Sequence, residues 1–91
     1  MGSPTVHVRF AIEPMVSAGG YAVCEFVDGL PTRQVTVVGD RLVTSLDGEE
    51  DPDTGPTLTE LALDDGWRTE EPELVEIEAA EFERLWERAT H

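Results

Sequence analysis

The chain has 91 residues, 40% of them hydrophobic, with a single cysteine and a formal net charge of −14. That length suits one domain with one core, which at this size buries about 60–65% of the unfolded surface, and the lone Cys24 rules out an internal disulfide scaffold. So negative a chain repels phosphate backbones and anionic lipids, which argues against nucleic acid or membrane as a partner.

Alternation opens the chain. Val6, Val8, Phe10 and Ile12 fall on one side and His7, Arg9, Ala11 and Glu13 on the other, which predicts a half-buried strand over 5–13. Pro14 and the Ser17-Ala18-Gly19-Gly20 run end it, and a second β-rich segment spans 21–27. Asp28-Gly29-Leu30-Pro31 reads as a turn into a third strand over 32–38. Gly39-Asp40 suits a primed hairpin joining Val38 to Arg41, the start of a short fourth strand over 41–44. Residues 47–56, DGEEDPDTGP, hold five acids, two prolines and two glycines, so a solvated acidic loop is expected.

A short edge strand is expected over 57–63, where Leu61 and Leu63 stand at strand spacing, and Asp64-Asp65-Gly66 ends it. Ile77, Phe82, Leu85, Trp86 and Ala89 then form an apolar stripe at helical spacing, which predicts a helix over 79–90. With Glu78 as its cap, Glu81 occupies the third position and Ile77 can pack on Phe82. The expected fold class is α+β: an antiparallel β-meander of about four strands packed on one C-terminal α-helix, in two layers.

Ordinary closure of both hairpins would set Val27 opposite Thr32 and Val37 opposite Leu42. One face then gathers Ala22, Cys24, Phe26, Val35, Val37 and Leu42 as the core. The other gathers Val23, Val27, Val38 and Val43 among polar residues, too apolar to face water alone. A cover is expected there, either residues 57–63 or a second copy of the chain in a homodimer through the outer sheet face.

No catalytic, cofactor-binding or metal-ligating set emerges from the motifs. His7 on the polar side of the first strand could act as a base beside Glu25 or Glu13, although a surface histidine on a sheet is the commoner role. Cys24, among core residues, is expected to be inert with a raised pKa. Asp47, Glu49, Asp51 and Asp53 recur as in a calcium loop. The match fails where Pro52 replaces the required glycine and Leu58 the bidentate acid. Trp67, beside a turn, either faces a partner or packs against the sheet edge. No cofactor is expected, and with no basic-then-apolar leader the expected compartment is the cytoplasm.

The succession Tyr21, Glu25, Asp28-Gly29, Arg33, Val35 and Val37, followed by Glu76-Ile77, Glu81-Phe82-Glu83, Leu85-Trp86 and Ala89, resembles a family of small bacterial domains of unknown function. The resemblance covers about residues 20–90 and departs at Glu78, where the family usually carries a serine or threonine cap. It implies the strand-turn-strand and the terminal helix, and no activity.

Charge carries the functional expectation. Residues 1–46 hold four acids against three arginines, a net −1, whereas residues 47–91 hold sixteen against three, a net −13. The expected function is a non-enzymatic interaction module, of immunity or adaptor type, that docks a basic protein partner through its acidic half. Asp47, Glu49, Glu50, Asp51, Asp53, Trp67 and the valines Val23, Val27, Val38 and Val43 are the candidate contact residues. The alternative is a small-molecule-binding protein or minor enzyme with a pocket between sheet and helix, lined by Phe10, Phe26 and Trp86.

Overall fold

Two tight turns whose residues accept left-handed backbone frame the sheet in a computed structural model that describes residues 4–16 and 19–91. Ser17 and Ala18 of the glycine-rich break lie outside the described residues. Strand β1 (Thr5–Ile12) pairs antiparallel with β2 (Gly20–Val27). Asp28 at φ 55° and Gly29 at φ 79° then make a two-residue primed turn into β3 (Leu30–Val38). Gly39 at φ 60° turns the chain into β4 (Arg41–Thr44), with Val37 opposite Leu42 as the sequence predicts.

The β2–β3 register corrects the expected one. Val27 faces Leu30 rather than Thr32, and a bulge across Glu25 and Phe26 sets Arg33 opposite Glu25 and Val35 opposite Val23. Thr32 is the extra residue of this bulge. Because strand side chains alternate, the slip moves Val35, Val37 and Leu42 to the face of Val23, away from Ala22, Cys24 and Phe26.

The acidic loop and the strap that follows it also differ from expectation. Within 47–56, β5 (Glu50–Asp51) pairs with β6 (Gly55–Pro56) as a small separate hairpin. Residues 57–63 pair with no described strand, because their polar groups are taken elsewhere. Thr59 N–H donates to the Gln34 side-chain oxygen at 2.8 Å and Leu63 N–H to the Gly29 carbonyl at 2.8 Å. The segment 57–74, including the single helical turn α1 (Trp67–Glu70), therefore straps over a sheet face. The edge beside β1 goes instead to β7 (Val75–Ile77), giving the order β4-β3-β2-β1-β7. Helix α2 (Ala79–Thr90) follows directly, with Glu78 in extended conformation at its N-cap but making no side-chain cap hydrogen bond.

Both faces are consequently cores. Under α2 lie Val23, Val35 and Phe82, with Ile77, Leu85 and Trp86 packed on them. Under the strap lie Val8, Cys24, Phe26, Trp67 and Leu74, with Leu58, Leu61 and Leu63 against them. The four valines expected on one outer face are divided. Val23 and Val27 point to the helix side and Val38 and Val43 to the other. Since Val23, Val38 and Val43 are buried, no continuous valine face is left for a homodimer. No described helix is long and apolar enough to cross a membrane.

Candidate functional site

The bulge has an electrostatic consequence. It aligns His7 of β1, Glu25 of β2 and Arg33 of β3 as direct cross-strand neighbours beneath α2. Arg33 grips Glu25 in a two-pronged contact, Nε to Oε1 at 2.9 Å and Nη2 to Oε2 at 2.6 Å, the strong geometry for a guanidinium on a carboxylate. The bulged Thr32 donates its hydroxyl to Glu25 at 2.8 Å, and His7 Nε2 lies 3.1 Å from the same carboxylate. From the helix, Glu83 accepts a second contact from Arg33. The guanidinium lies 4.9 Å from the Phe82 ring centre and 5.1 Å from that of Trp86, so one cation serves two carboxylates and two rings.

The cluster's titration follows from that pairing. The hydrogen bonds from Arg33 outweigh partial desolvation and, with those from Thr32 and His7, hold the Glu25 carboxyl down at about 2. The same two carboxylates push Arg33 further above its ordinary value. Ligand atoms of His7, Glu25 and Glu83 come within 4.8 Å of one another, a spacing a metal ion could use. Any such ion would have to displace Arg33, the cation that already pairs with both carboxylates. Nor, among the described residues, does a nucleophile stand beside His7. Thr32 donates to Glu25, and Cys24 points to the opposite face, its thiol pushed up to about 12 by burial and then by the Glu25 charge. Sequence reasoning set either Glu25 or Glu13 near His7, of which the structure places Glu25 there, and missed Arg33, whose place depends on the bulge. The cluster clasps α2 to the sheet.

The acids singled out in the sequence serve unlike roles. Asp47 accepts the Thr44 N–H at 2.8 Å and ends β4. Asp51 accepts the N–H groups of Asp53 and Thr54 at 2.9 and 3.0 Å, and Arg41 at 3.2 Å, which together lower its pKa, the Thr54 contact foremost. Asp53 accepts the Val16 N–H at 2.7 Å. The expectation of a solvated loop is thus corrected: Asp51 and Asp53 hold the hairpin in place, Asp47 closes β4, and Glu49 and Glu50 are exposed. Trp67 is buried, packing against the sheet. Phe10 and Phe26 lie on the strap face and Trp86 on the helix face, so the three line no common pocket.

A different set crowds the strap. Glu71 is pushed above the ordinary carboxylate range by a hydrogen bond with Glu73, by desolvation, and by the charges of Glu73, Glu70 and Asp64. No family model, curated protein or solved structure matches this chain.

Proposed function

We propose that the protein is a non-enzymatic interaction module that docks a basic protein partner through the acidic second half of its chain. The carrying observation is uncompensated charge: sixteen acids against three arginines in residues 47–91, dense enough on the strap that the neighbouring acids raise the proton affinity of Glu71. Of those arginines, Arg68 is already held by Glu76 at 2.8 Å. A partner bringing positive charge would relieve the self-repulsion and be steered to the surface at long range. The proposed kinship with small bacterial domains rests on turn, core and helix positions and adds no activity to this reading.

Isothermal titration against basic proteins encoded beside its gene tests the reading. A complex is expected whose affinity falls at least about tenfold as salt rises from about 0.05 to about 0.5 M, since the Debye length shortens severalfold over that range. Tight binding indifferent to ionic strength, or binding to none of them, would count against it.

A further inference from the structure

We propose that the cleft between the Asp28-Gly29 turn and the strap receives one arginine side chain of the basic partner and anchors the interface, an inference that rests on the interaction-module reading. The cleft measures about 280 Å³. That is just below the ~300–1,000 Å³ typical of sites for drug-sized ligands, and it fits one inserted side chain. Its floor is apolar, formed by Val6, Phe26, Leu63 and Trp67, of which Phe26 and Trp67 belong to the core.

The rim is acidic. Asp28 flanks the cleft from the turn and Asp64 and Asp65 from the strap, all three exposed. Among the described residues that line it, the one cation is Arg68, itself offset by Glu76, against the three carboxylates. An apolar floor beneath a carboxylate rim matches a long aliphatic stem ending in a cation. Arginine fits better than lysine because its planar fork suits carboxylates and stacks on aromatic rings. The chain supplies its own precedent, for the Arg68 guanidinium already lies 4.6 Å from the Trp67 ring centre.

The walls are preformed. Leu63 N–H donates to the Gly29 carbonyl at 2.8 Å and Asp28 N–H to that of Pro4 at 3.0 Å. A side chain at position 29 would bring its Cβ to 2.3 Å from the Leu63 carbonyl, so glycine is what lets turn and strap meet. The cleft itself therefore needs little ordering when a side chain enters it.

The test titrates the isotope-labelled full chain with N-acetyl-arginine amide and, in parallel, with the uncharged norleucine analogue. Amide shifts should centre on Gly29, Leu63 and residues 64–68, with the norleucine compound at least about fivefold weaker. Trp67 is core and a poor target. The informative variant is therefore Asp64→Asn with Asp65→Asn, which keeps a side-chain acceptor for the Gly66 N–H now bound at 2.9 Å. It should weaken arginine amide about fivefold, while Asp40→Asn, an exposed acid of the β3–β4 turn, leaves binding unchanged. Shifts scattered over the acidic surface, shifts centred on the β5–β6 hairpin, or an indifferent double variant would each overturn the anchor. A basic protein that binds without moving the cleft amides overturns the anchor alone. Failure of every basic protein to bind, with arginine amide still entering the cleft, overturns the module reading instead.

Discussion

One sheet is closed on its two faces by unlike means. On one side a 12-residue helix lays down a periodic stripe, drives Phe82 to zero exposure and is clasped by Arg33 to an acid of the sheet. On the other, residues 57–74 run almost without regular structure, and Trp67 and Leu74 are their buried anchors. The charges divide the same way. Glu25 beneath the helix is held down at about 2 by a cation, whereas Glu71 on the strap is pushed up by other acids. A regular element can enclose its charge in a paired network, while an irregular one must find partners for its backbone on distant elements and turns its acids outward to water.

The largest test of that contrast is Phe82→Ala. Emptying a fully buried ring site under the helix should cost about 3–5 kcal/mol. In a chain of this size each 1 kcal/mol moves the melting temperature about 4–8 °C. Leu61→Ala in the half-buried strap should cost about 1–2 kcal/mol and raise hydrogen exchange locally, over 57–66. Equal and global losses from both would erase the distinction between the two closures.

Arg33→Met comes next. It leaves Glu25 under the helix without its cation and should cost about 2–3 kcal/mol, much of it recovered by adding Glu25→Gln. Denaturant titration of the two single variants and the double measures the coupling directly. Additive losses would mean that the pair contributes nothing beyond its parts.

Acid resolves the two carboxylates by sign. The folded pKa of Glu25 lies below its unfolded value, so its stabilisation is fully present above about pH 4.5 and is lost as pH falls towards 2. That contribution is roughly 1–2 kcal/mol once solvent screening is allowed for. The folded pKa of Glu71 is raised, so the native state binds its proton more tightly and stability falls as pH rises through that value. Glu25→Gln should flatten the acid limb of the stability profile, and Glu71→Gln should slightly raise stability at neutral pH. The reverse pattern would invert the assignment of paired and unpaired acids.

The smallest effects separate acids within the β5–β6 hairpin. Asp51→Asn removes the charge that holds Arg41 and weakens acceptance from two N–H groups, and should lower the melting temperature by a few degrees at most. Glu49→Ser with Glu50→Ser should raise it slightly at low salt and gain less from added salt. Thermal scans at two ionic strengths decide between them, and equal behaviour of both sets would restore the solvated loop.

The sequence by itself determined the alternation of β1, the places where the chain turns at Asp28-Gly29 and Gly39-Asp40, and the bounds of α2. Each of these is written in neighbouring residues: a period of two, glycine or aspartate where φ is positive, and an apolar stripe every three to four positions. It did not determine which face Val35 and Val37 occupy, because a four-residue loop without a bulge and a two-residue turn with one are both locally sound. Only packing across the whole sheet chooses between them. Placing Val23 and Val35 together under Phe82, with Arg33 on Glu25, satisfies both faces at once. The strap was equally hidden, since its N–H groups find the Gln34 side chain and the Gly29 carbonyl, partners 25 and more residues away that leave no periodic mark in the sequence.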